Sequence, residues 1–248
     1  GRVPLAYYHC LLFDVDGTLL DFNASEKAAL SEMFEHYGFD RREEMQRRYQ
    51  EINASLWAAL ERGEIKQDKL VVQRFEMLFH EFDIQAKAAE VNEFYLAQLA
   101  ARADVFEGVQ DILQELAEVA TLAVVTNGVE RVQRKRLDQA GLTKYFDGFF
   151  VSSKVGATKP SRKIFDAALR ELGVENREKV LMIGDSVKAD IAGGKNAGLA
   201  TCFCNFSGQD ASTVKATHTI EHLHELMNIV MEPEELANVG NPEKRHQV

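Results

Sequence analysis

The sequence predicts a doubly wound parallel α/β sheet that carries an all-helical insert after its first strand. Three observations carry this prediction. Five short β-type runs are mostly continuously apolar, as suits parallel strands covered on both faces. Helical patterns separate the later runs, so that strand, helix and strand alternate. Residues 22–104 break the alternation and hold no convincing strand.

In chain order, the first run is "HCLLFDV" (9–15), and it leads into Asp16, Gly17 and Thr18. The insert comes next. Its "AALSEMFEHYGF" has helical spacing with a stop at Gly38, and "MQRRYQEINASLWAALERG" closes at Gly63. Trp57 and the other aromatics of the insert are expected to pack a core, and "RREEMQRRYQ" (41–50) to be a solvated helix face. Beyond the insert, strands at 120–126, 148–152, 179–184 and 200–205 alternate with helices at 107–118, 129–141, 161–173 and 187–197. Gly141, Gly173 and Gly198 mark helix stops. Cys202 and Cys204 fall on one strand face and are expected to be buried. "HTIEHLHEL", with His218, His222 and His224, reads as a half-exposed helix rather than a metal cluster. The expected division is a core of 1–20 and 105–230, an insert of 21–104, and a frayed tail of 231–248.

Composition narrows the function. The 248 residues carry a net charge of −10, which disfavours binding to a nucleic-acid backbone but leaves room for a small anion in a locally basic site. Three cysteines without framework spacing argue against a disulfide scaffold and for a reducing compartment. No apolar run is long enough to span a bilayer, and the first residues lack a basic-then-apolar leader pattern. The expectation is a soluble, cytoplasmic monomer or homodimer.

In open α/β sheets the ligand sits at the carboxyl ends of the strands. The residues there are Asp14, Asp16, Gly17 and Thr18, then Thr126, Asn127 and Gly128, then Lys159, then Asp185 and Asp190. Grouped carboxylates need a counter-charge, and hard oxygen ligands without a His or Cys cluster suggest Mg²⁺. A lysine, a hydroxyl and main-chain amides are groups that hold phosphate. One carboxylate could be a nucleophile and a second a general acid and base. "AGGKNAG" (192–198) fails the phosphate-loop pattern and is better explained by helix packing and capping.

"DVDGT" (14–18), "TNG" (126–128), "KP" (159–160) and "GDSVKAD" (184–190) resemble, in order and spacing, the four motifs of the haloacid dehalogenase superfamily. The resemblance covers roughly 9–20 and 105–225 and implies a Rossmann-like core, with the insert as a type 1 cap. It implies Asp14 as nucleophile and metal ligand, and Asp16 as acid and base with its main-chain carbonyl on Mg²⁺. Thr126 and Asn127 would hold phosphoryl oxygens, Lys159 would pair with phosphate and Asp14, and Asp185 would complete the metal site. Asp190 matches the last acid of its motif, which implies a place in the metal site as an indirect or water-mediated partner, and could equally serve a helix N-terminus. Gly17 would let the backbone approach the phosphoryl group, and Thr18 would brace that turn. The stretches from "VVTNGVERVQRKRL" and from "VLMIGDSVKAD" resemble the pyrimidine 5′-nucleotidase branch and its relative, N-acylneuraminate-9-phosphate phosphatase. The implied substrate is a small phosphorylated metabolite, nucleoside monophosphates first. A sugar-phosphate phosphatase, a phosphomutase and a non-catalytic phospho-ligand sensor are the alternatives.

Overall fold

The computed structural model describes residues 5–232. Six strands form one parallel sheet: β1 (Cys10–Phe13), β2 (Thr121–Thr126), β3 (Gly148–Val151), β4 (Val180–Gly184), β5 (Ala200–Cys204) and β6 (His218–Ile220). Their order is β3-β2-β1-β4-β5-β6. The strand order reverses at β1, which opens a crevice at its carboxyl end, where Asp14 begins.

Alternation along the strands sorts the core into two faces. Leu11, Phe13, Leu181 and Ile183 pack on one face with α5 (Val109–Ala117). Cys10, Leu12, Val180 and Met182 pack on the other with α8 (Arg162–Leu172). Cys202 and Cys204 share the first face and are buried. A third cluster belongs to the helices of the insert, α1 (Phe22–Tyr37), α2 (Arg42–Glu61), α3 (Gln67–Glu81) and α4 (Ala88–Ala100). Helix α1 starts where the Asp21 side chain accepts a hydrogen bond from Ala24 N, and it stops at Gly38 in the left-handed conformation. The insert's cluster reaches the sheet through Val132 of α6 (Glu130–Gln139). The two crossing segments run side by side: Leu20 bridges Val105, Asp21 N donates to Asp104 O at 2.7 Å, and Phe106 N donates to Leu19 O at 3.2 Å.

Three expectations are corrected. His218 lies in β6 rather than in a helix, because a three-residue edge strand is too short to show a period; its Nε2 is 2.8 Å from the Tyr8 hydroxyl. His222 and His224 flank and enter a 3₁₀ turn ahead of α10 (Leu226–Val230). The expected helix 187–197 is a π turn over Val187–Ile191 that continues as α9 (Ala192–Asn196). Met231, the first residue of the expected frayed tail, is buried and bridges Ala6; residues 233–248 lie outside the described residues. A one-turn helix, α7 (Ser152–Val155), leads from β3 toward Lys159.

Candidate active site

Lys159 is the hub of the crevice. Its side chain is almost fully buried, and Nζ donates to Asp14 Oδ1 at 3.0 Å, Asp190 Oδ1 at 2.7 Å and Val125 O at 2.8 Å. Burial alone would pull this amine down, but Asp14 and Asp190 outweigh burial and hold it above the usual lysine range. The loop that carries Lys159 is held in turn by Asn127. Asn127 Oδ1 accepts from Lys159 N at 2.9 Å, and Asn127 Nδ2 donates to Lys159 O at 3.1 Å. The Asn127 side chain therefore braces the lysine loop, and its main-chain carbonyl accepts from Gln67 of α3.

Asp14, Asp185 and Asp190 bring carboxylate oxygens within 4.8 Å of one another. Asp190 is fully buried and both its oxygens are engaged, one by Lys159 and one by Ser186 N at 3.1 Å. Asp14 Oδ2 and the Asp185 carboxylate are the less engaged oxygens. Burial, then the charge of Asp190, pushes Asp14 well above its ordinary value. The same two causes raise Asp185 from 3.8 to about 6. Three acids facing one lysine, with hard oxygen donors and no imidazole or thiolate, fit a divalent cation of the Mg²⁺ class. Gly17 permits this packing: its φ is +79°, and a Cβ there would collide with the Asp185 carboxylate.

Asp16 faces another way. Its Oδ1 accepts from Arg136 Nη1 at 2.5 Å and its Oδ2 from Gln133 Nε2 at 2.9 Å. Its carboxylate thus stands outside the three-acid cluster. Thr126 Oγ1 accepts from Gly128 N at 3.0 Å and from Gln133 Nε2 at 3.2 Å. Thr18 is fully buried, its Oγ1 has no protein partner, and it does not wall the cavity. Gln133 and Arg136 were missed by the sequence reading. They lie three apart on one helix face, and nothing in the charged run of α6 marks them before the structure shows them buried.

A cavity of about 240 Å³ opens above these groups. Asp14, Asp16, Thr126 and Lys159 form its floor, and Asn53, Trp57 and Arg74 of the insert form its far wall. Trp57 therefore belongs to the site as well as to the insert's packing.

The sequence profile of the haloacid dehalogenase-like hydrolases matches residues 8–198. The chain belongs to this hydrolase family. The HAD-hydrolase YfnB of Bacillus subtilis (strain 168) is 37% identical over 224 residues, 90% of this chain and 95% of YfnB. A magnesium-bound YfnB structure superposes with a TM-score of 0.85, covering 90% of this chain and 98% of that one. The pyrimidine 5′-nucleotidase YjjG of Escherichia coli (strain K12) is 34% identical over 89% of this chain and 96% of its own length. Human N-acylneuraminate-9-phosphatase is 27% identical over 82% of this chain and 85% of its own length. Haloacid dehalogenase-like hydrolases are enzymes, and this chain is one of them. Among the described residues, no helix is long and apolar enough to cross a membrane.

Proposed function

We propose that the protein is a Mg²⁺-dependent phosphomonoesterase acting on small phosphorylated metabolites, with pyrimidine nucleoside 5′-monophosphates first. The observation that carries this reading is Asp14 held 3.0 Å from the buried Lys159, with a second aspartate, Asp16, across the same cavity. Similarity to YjjG supports the nucleotide, and the magnesium-bound YfnB structure supports the metal.

Asp14, Asp185, the Asp16 carbonyl and, through its hold on the cluster, Asp190 would bind Mg²⁺. When bound, the ion offsets charge on the phosphoryl oxygens. Asp14 attacks phosphorus, and the phosphorus–ester oxygen bond breaks as an aspartyl-phosphate forms. Asp16 takes up the proton brought by the monoanionic phosphate ester and gives it to the departing oxygen. Lys159 and the main-chain amides around Thr126–Gly128 neutralise the gathering charge. Asp16 then takes a proton from water, which attacks phosphorus and frees Asp14 and phosphate. The insert acts as a cap that keeps bulk water out during the first step.

The test is phosphate release from nucleoside monophosphates and sugar phosphates, with Mg²⁺ or with EDTA. Release that needs Mg²⁺ and is lost in Asp14→Asn is the expected result. Folded protein that releases phosphate from none of them overturns the reading.

A further inference from the structure

The far wall of the cavity holds a cation, Arg74, that forms no ion pair among the described residues, with the buried Glu26 carboxylate near enough to be acted on by its charge. Arg74 of α3 is 3% exposed and faces the cavity. Its Nε donates to Val71 O at 3.0 Å, Nη1 to Asn53 Oδ1 at 3.1 Å and Nη2 to Asn92 Oδ1 at 3.0 Å. All three acceptors are neutral. The rings of Tyr49, Phe75 and Tyr95 surround the guanidinium, with centroids 5.8, 5.3 and 5.0 Å away. A buried charge whose hydrogen bonds all go to neutral groups is costly, and Glu26 offsets only part of that cost without touching it.

Asn53 extends the same pattern. Its Oδ1 also accepts from Trp57 Nε1 at 3.0 Å, so two donors saturate that oxygen and fix the orientation of the amide. The Asn53 amide N–H groups have no partner among the described residues. Arginine has five N–H groups and can only donate. The polar atoms left over around Arg74 and Asn53 are therefore donors, with the Trp57 ring beside them; one helical turn further along α2, Glu61 brings a carboxylate to the same cavity. The cavity, at about 240 Å³, is below the roughly 300–1,000 Å³ of pockets for drug-sized ligands. A single ring suits it better than a fused pair.

We propose that Arg74, Asn53 and Trp57 are the specificity residues of this enzyme, and that they select a substrate whose non-phosphate end presents oxygen acceptors. An oxo-pyrimidine edge and a sugar carboxylate share that chemistry. An amino group placed against Arg74 and Asn53 meets only donors and is disfavoured there, which leaves the Glu61 carboxylate as the one acceptor of α2 left on the cavity. The inference rests on the phosphomonoesterase reading for the position of the phosphate, which Asp14 and Lys159 anchor at the opposite end.

The experiment is calorimetric binding to full-length Asp14→Asn protein with Mg²⁺, so that ligands are not consumed. Uridine and cytidine 5′-monophosphates differ by an oxo-for-amino exchange at C4, with N3 protonated in uracil and bare in cytosine, and form the first pair. A phosphorylated sugar acid and its neutral counterpart form the second. Uridine 5′-monophosphate is expected to bind about tenfold or more tighter than the cytidine form, the scale of an unpaired polar contact. Adding Asn53→Asp keeps the acceptor for Arg74 and Trp57 but removes the free donors, and should shrink that ratio by about tenfold. Trp57→Phe, a milder change, frees one lone pair of Asn53 Oδ1 and should narrow the ratio by relieving cytidine. An acid-over-neutral preference in the second pair, with none in the first, assigns the wall to a carboxylate and supports the same chemistry. Equal binding within both pairs, or a preference that neither variant moves, overturns the inference. Preserved preference without Mg²⁺-dependent turnover of the wild type overturns the phosphomonoesterase reading alone.

Discussion

Asp185 sits against two other acids and carries the clearest titration signature in the crevice. Its carboxyl rises from 3.8 to about 6 because burial and then Asp190 disfavour its charge. A raised carboxyl stabilises the fold while it is protonated, below its unfolded value. That stability is lost as pH rises through the folded value. A bound Mg²⁺ has the opposite need, since it takes the ionised oxygen. The thermal stabilisation given by Mg²⁺ should therefore be slight near pH 4 and grow through pH 6. Melting curves from pH 4 to 8, with and without Mg²⁺, check this. Asp185→Asn should flatten the difference, and a Mg²⁺ effect that stays constant across the range would contradict the assignment.

Helix α6 is the element that places the second aspartate. Val132 faces the insert and Leu137 faces the sheet, while Gln133 and Arg136 reach Asp16. Arg136 is fully buried, yet its Nε and Nη2 have no partner. Stability gives little reason to keep a cation there, because such donors are costly. Its use is to hold Asp16 through Nη1, which also donates to Gln133 Oε1 at 2.9 Å. Lysine has neither the fork nor the same reach. Arg136→Lys should lower kcat about 10- to 100-fold, roughly 1.4–2.7 kcal/mol of barrier, with a smaller change in KM. Steady-state kinetics beside denaturant unfolding check this. A loss of stability with kcat unchanged would leave Arg136 a packing residue only.

At the scale of the whole molecule, the insert and the sheet meet over the cavity with few direct ties. Gln67 of α3 donates to Asn127 O, on the loop that braces Lys159. Arg131 and Glu93 form an exposed pair at 2.8 Å, a kind of contact that is worth little. Gln67→Ala should reduce kcat/KM by up to about tenfold, mostly through KM, since one net hydrogen bond is about 0.5–1.5 kcal/mol. Arg131→Ala should change it much less. Kinetics of the two variants side by side check this, and equal effects would mean that the Gln67 tie plays no special part.

The first five strands, the long helices between them, the helical insert and the polar residues at each strand end are legible in the chain alone, while β6 and the short turns around it are not. These are local matters: apolar runs, helical period and glycine stops depend on neighbours in the chain. Asp14, Lys159, Asp185 and Asp190 could be named as one group because strand ends in such a sheet share one edge. The tertiary structure decided what no local pattern carries. It turned the Asn127 side chain onto the Lys159 loop, gave Asp16 to Arg136 and Gln133, and brought Asn53, Trp57 and Arg74 over the crevice. Those partners are separated by tens of residues, and a buried arginine reads the same in sequence as a solvated one. Only the packing of the insert against the sheet, which fixes burial and leaves some donors without partners, tells the two apart.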